Sequence, residues 1–168
     1  MSSLKSLAPA DAGPALEQAL IDVAEQSFCG FADPCTPAMF AELLESTGEQ
    51  DTPWLRATVG FAGRFQGAIV LDVPESLAGE LLTSCLGVDA AEAAADPSLP
   101  GIEDAVGEFA NMVCGAWLTR SFSEDKFDLR APALEHLREA IQARWAAEPP
   151  ATLLLSLNDR PLRLRVAC

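Results

Sequence analysis

Residues 103 to 115 read EDAVGEFANMVCG, a stretch that sets acids and an amide at helical spacing. Wound at about 100° per residue, Asp104, Glu108, Asn111 and Gly115 fall within about 60° of one another. Ile102, Val106, Phe109, Val113 and Trp117 form an apolar stripe on the far side, the pattern of a helix that packs against a core. An amide accepts with its oxygen while its nitrogen donates, so Asn111 can engage two polar groups at once. The row is either the wet side of the helix or a surface with a task. Two features set it apart from a face chosen for stability. Asparagine is a mediocre helix former away from a cap. Gly115 costs up to about 1 kcal/mol relative to alanine in a helix interior.

Other chemistries find little support. His136 is the only histidine and lies beside Glu135 and near Arg138, the setting of a surface side chain. Ser27 and Ser84 have no histidine in a believable arrangement, which argues against a hydrolytic triad. The five cysteines, Cys29, Cys35, Cys85, Cys114 and Cys168, are odd in number and include no C-x-x-C pair. With a single histidine they offer no zinc-type ligand set, and they read as reduced thiols of a cytoplasmic protein. GRFQG carries too little for a phosphate-cradling loop and is better taken as a turn. Trp117 and Trp145 read as core. The net charge of −14 repels phosphate backbones and no Lys/Arg cluster reverses it, so nucleic acid is not an expected partner. GAIVL and LLLSL are strand-sized, and no apolar run approaches the length of a membrane span.

The elements that must position the acid–amide row follow from pattern. A chain of 168 residues is one domain by length and can bury a core without disulfides or metals. Residues 1–13 read as a flexible leader lacking the apolar core of a signal peptide, and 14–168 as a single domain. From Pro14, PALEQALIDVAEQSFC is an amphipathic helix. GFADPCTP breaks it, and AMFAELLEST gives a short second helix. WLRATVGFAGRFQGAIVLDV makes two strands, over 55–62 and 67–73, joined by a glycine-bearing turn. PESLAGELLTSCLG is a helix bounded by Pro74 and Gly87. VDAAEAAADPSLP is a mobile surface loop. The helix of the acid–amide row comes next, with Ser98 as its cap, and runs to Ser121. KFDLRAP is a short strand ended by Pro132, and LEHLREAIQARWAA is helical by the spacing of Leu134, Leu137, Ile141 and Trp145. TLLLSL and LRLRV form a hairpin across NDRP. There Leu162, Leu164 and Val166 make a dry face and Arg163 and Arg165 a wet one. Hairpin-joined strands among helices favour an α+β fold, an antiparallel β-sheet packed against long α-helices.

The run ATVGFAGRFQGAIVLDVPESLAGELLTSCLG, a spacer and then DAVGEFANMVCG resembles the CheC/CheX/FliY family of chemotaxis phosphatases. That family is marked by an Asp or Ser, a Glu four residues on, and an Asn three residues later. Asp104, Glu108 and Asn111 stand in this register, and Pro132 is close to the place of the family's closing proline. The resemblance covers residues 55 to 132 well. It fades after 133, where LEHLREAIQARWAA looks like an inserted helix instead of the family's loop and strand. The chain has only two asparagines, Asn111 and Asn158, so a second site of the CheC kind in the N-terminal helix is ruled out. One site per chain is the CheX pattern, and that branch tends to pair into homodimers.

The resemblance implies a CheX-like phosphatase that acts on the aspartyl phosphate of a response-regulator receiver domain, a CheY-like partner. Asn111 would position the attacking water, and Glu108 would pair with a lysine in the receiver's active site. Asp104 and Gly115 would belong to the docking surface. No cofactor would be held by this chain, the Mg²⁺ being supplied by the receiver's acids. The alternative is a non-catalytic adaptor that binds a receiver domain or a chemotaxis or flagellar component through the same helix face.

Overall fold

The computed structural model describes residues 9–149 and 153–167. In chain order the elements are α1 (Pro9–Phe28), β1 (Ala32–Pro34), α2 (Pro37–Thr47), β2 (Trp54–Ala62), β3 (Gln66–Pro74), α3 (Glu75–Leu86) and α4 (Ala90–Ala95). Then come α5 (Ile102–Ser121), β4 (Asp128–Leu129), β5 (Ala133–Leu137), α6 (Ile141–Ala146), β6 (Leu153–Leu157) and β7 (Arg160–Ala167). The strands form one antiparallel sheet in the order β1-β6-β7-β3-β2, with β4 and β5 sharing the outer edge of β2. The expected α+β architecture is the observed one.

Side chains alternate between the two faces of a strand, and that alternation builds two cores of unequal size. Leu55, Ala57, Val59 and Phe61 of β2, with Ile69, Leu71 and Val73 of β3, face α1, α3 and α5 in the main core. Trp54 points the other way and joins Phe40, Leu44, Leu137 and Ile141 in a smaller cluster under α2 and α6. The β2–β3 hairpin pairs Trp54 with Pro74 through to Ala62 with Gln66. Its turn needs glycine at 63, where a Cβ would come within 2.4 Å of the Lys126 carbonyl oxygen.

Several boundaries differ from expectation. Helix α1 starts at Pro9, so Pro14 lies inside it and not at its first turn. Of the expected leader, residues 1–8 lie outside the described residues. The spacer after Gly87 contains α4, capped by Asp89, whose Oδ1 accepts from the Ala91 N–H at 2.8 Å. Ser98 does not cap α5; its N–H and Oγ both donate to Asp96 Oδ1, at 2.9 and 2.7 Å.

The largest correction falls on LEHLREAIQARWAA. Residues 133–137 form β5 instead of a helix, because the edge of β2 beyond β4 offers backbone partners, Thr58 to Ala133 through Trp54 to Leu137. Leu134 and Leu137 therefore leave on opposite faces, one packed on the main core and one in the smaller cluster. Only α6 is helical, and it crosses the second face of the sheet. That crossing also corrects the wet face of β7, since Arg163 is 5% exposed. Arg56 forks onto Asp72 (2.7 and 2.9 Å) and Glu148 (2.6 and 2.8 Å). Trp145 Nε1 donates to Asp72 at 2.9 Å, and the Arg163 guanidinium lies 5.0 Å from the Trp145 ring centroid. Buried charges persist where they are paired and hydrogen-bonded. Hydrogen bonds from Arg56 and Arg144 hold the Glu148 carboxyl at about 2, while burial pushes the Arg163 guanidinium below its ordinary value.

Candidate active site

Helix α5 carries the expected stripe. Val106, Phe109, Val113 and Trp117 are buried and Ile102 is half-buried, so the opposite face is turned outward. Asp104 and Glu108 are exposed, and Asn111 and Gly115 are half-buried on the same row. The segment 133–147 leaves this row uncovered, because β5 lies at the sheet edge and α6 on the far face.

The four residues are engaged differently. Asp104 Oδ2 accepts from the Gly101 N–H at 2.8 Å, closing the first turn of α5. A carboxylate there also complements the positive end of the helix dipole. Its neighbour Glu103 is held by His136 Nε2 at 2.9 Å, with Glu75 3.4 Å from the other ring nitrogen. In contrast, neither the Glu108 carboxylate nor the Asn111 amide has a hydrogen-bond or ion-pair partner among the described residues. Side chains at i and i+3 are neighbours on a helix surface, so an acid and an amide stand side by side, both available. Among the described residues nothing crowds Gly115, since a Cβ there would meet Leu129 Cδ1 at an ordinary 3.7 Å.

Two further features were not found from sequence. Gly107 is the tight glycine of α5, where a Cβ would lie 3.3 Å from Pro132 Cβ and 3.4 Å from Leu134 Cδ2. The segment carrying Pro132 thus packs directly against the turn that holds Glu108. A glycine on the apolar side of an amphipathic helix was the available clue. The second feature is an open cleft of about 700 Å³ between the end of α3 and the 97–100 loop. Cys85, Leu86, Leu99, Asp104 and Glu108 line it. Leu86 and Leu99 sit beside a capping glycine and between two prolines, positions that carry no periodicity.

The site is built from polar groups on a rigid helix. Among the described residues, no cluster of three or more His, Cys, Asp or Glu side chains could hold a metal ion. Burial pushes the Cys114 thiol up to about 12, which leaves it protonated and poorly nucleophilic. Nor is any helix among the described residues long and apolar enough to cross a membrane.

Residues 55–146 match the family model for chemotaxis phosphatase CheX. None of the curated proteins matches. Among solved structures, the chain is similar to the chemotaxis protein CheX of Vibrio vulnificus, with a TM-score of 0.62 at 19% identity, covering 96% of this chain and 99% of that one. It is also similar to the CheX–CheY–BeF3–Mg complex of Borrelia burgdorferi, with a TM-score of 0.59 at 13% identity over 91% and 94% of the chains. CheX of Desulfovibrio desulfuricans gives a TM-score of 0.56 at 14% identity over 94% and 98%. At such identities the likeness is one of fold. Taken with the family match over more than half of its length, it means that this chain belongs to the CheX family of chemotaxis phosphatases.

Proposed function

We propose that the protein hydrolyses the aspartyl phosphate of a CheY-like receiver domain, with Asn111 positioning the attacking water and Glu108 pairing with the receiver's active-site lysine. The observation that carries this reading is a carboxylate and an amide, both unpaired among the described residues, one turn apart on the outward face of α5. The Borrelia burgdorferi relative, solved with CheY, BeF3 and Mg²⁺, supports a receiver as the partner.

An acyl phosphate is already activated, so the catalyst needs no nucleophile of its own. It must place a water in line with phosphorus and stabilise charge on the transferring group. The Asn111 oxygen accepts from the water while its nitrogen donates to a neighbouring oxygen. As the water oxygen bonds to phosphorus, the bond from phosphorus to the aspartyl oxygen breaks. The electron pair stays on the leaving carboxylate, and both protons of the water end on the released dihydrogen phosphate, which can then give one up to solvent. Mg²⁺, held by the receiver's own acids, would neutralise phosphoryl charge. Glu108 fixes the register of the two proteins through a charge-assisted contact to lysine. The protein would work in the cytoplasm as a homodimer, without nucleic acid or membrane as a partner.

The test is the decay of phosphorylated receiver domains of the same organism with Mg²⁺, in the absence and presence of the protein. Acceleration that is lost in Asn111→Ala supports the reading. Binding without acceleration by the wild type would make the protein an adaptor.

A further inference from the structure

Resting on that reading, we propose that the cleft beside Glu108 is a second foothold for the receiver, taking an apolar side chain that stands next to its lysine. The cleft would thereby select which receiver is bound. Leu77, Leu81 and Leu82 of α3 are buried, yet Leu86 at its end is 42% exposed. Leu99 on the opposite wall is 37% exposed. Both line the same cleft as Asp104 and Glu108, and among the described residues no basic side chain lines it.

Both leucines are held in place before any partner arrives. Leu86 precedes Gly87, whose φ of 65° ends α3 with its N–H bonded to the Thr83 carbonyl at 3.0 Å. The Leu99 N–H bonds the Asp96 carbonyl at 3.1 Å, in the loop that Ser98 pins to Asp96. Little backbone freedom remains to be lost there on docking, a condition that favours affinity. Charge identifies the occupant. An apolar slot walled by two carboxylates suits an apolar side chain flanked by a cation, and on the proposed reading the receiver's lysine supplies that cation. A second copy of this chain, at net charge −14, is a poor fit for this acid-walled slot, so the proposed homodimer would pair through another surface. Asp104 is committed to the helix cap and contributes charge to the wall, so direct contact passes to the leucines.

Steady-state dephosphorylation by Leu86→Ser, Leu99→Ser and the double variant, with the receiver concentration varied, tests the foothold. The double variant should raise KM by about tenfold, as loss of a small apolar anchor does, with little change in kcat. Asn111→Ala should do the reverse. Circular dichroism melts confirm that the exposed substitutions leave the fold intact, and Leu99→Ser alone serves if Leu86→Ser disturbs α3. Binding of a beryllofluoride-activated receiver should weaken in the same variants. Unchanged KM and binding, or a fall in kcat alone, would overturn the foothold while leaving the phosphatase reading standing. A wild-type protein that neither binds nor dephosphorylates any receiver would overturn both.

Discussion

Glu148→Gln removes one negative charge from the arginine cluster on the second face of the sheet while keeping the size of the side chain. The Glu148 oxygens accept from Arg56 at 2.6 and 2.8 Å and from Arg144 at 2.8 Å, and the side chain is 13% exposed. Its carboxyl lies at about 2 against an ordinary 4.5. At about 1.4 kcal/mol per unit, that depression is worth up to about 3 kcal/mol of folding stability. A depressed carboxyl stabilises the fold above its unfolded value of 4.5, and the contribution is lost as pH falls toward 2. Urea unfolding at neutral pH should show the variant less stable by about 2 to 3 kcal/mol, and the gap should close substantially by about pH 3. The cost arises because the variant leaves buried guanidinium groups short of a counter-charge. Glu139→Gln, which alters an exposed partner of Arg144, serves as the control and should change little. A gap that is the same at both pH values, or no larger than that of the control, would refute the reasoning.

Four further outcomes can be checked with ordinary means. Asp104→Ala should destabilise the fold by about 1 kcal/mol through loss of the α5 cap, while Asp104→Asn retains an acceptor and most of the stability in urea titrations. Gly115→Ala should stabilise by up to about 1 kcal/mol in thermal melts, the helix preference for alanine being unopposed there. Gly107→Ala should gain less or lose, because the added methyl presses on Pro132 and Leu134. Cys114 should resist a thiol reagent until the protein unfolds, whereas exposed Cys29 labels in the native state, as mass spectrometry would show.

Much of the fold was legible because its signals are local. The β2–β3 hairpin announces itself by alternation and a glycine turn, and α3 by Pro74 and Gly87 at its ends. The acid–amide row was readable because helical spacing alone places Glu108 and Asn111 on one face. What failed depends on contacts between distant segments. Leu134, Leu137, Ile141 and Trp145 have helical spacing, but pairing with the edge of β2 took the first two into a strand. Arg163 and Arg165 look like a solvent face until Glu148, just after α6, is laid across them. Ser98 is a plausible cap by type, yet Asp96 holds it and Asp104 closes α5 from within. The Leu86–Leu99 cleft joins a helix end to a loop, a juxtaposition that no periodicity encodes.

The central claim concerns Asn111, and the decay of a phosphorylated receiver measured beside Asn111→Ala addresses it most directly. The substitution lies on the outward face of α5 and should move stability by about 0.5 kcal/mol or less. Loss of a well-aimed polar group commonly costs a hundredfold or more in rate, so a folded variant that still binds the receiver should lose about that much of the acceleration. A variant that accelerates decay as well as the wild type would contradict the assignment of the water to Asn111.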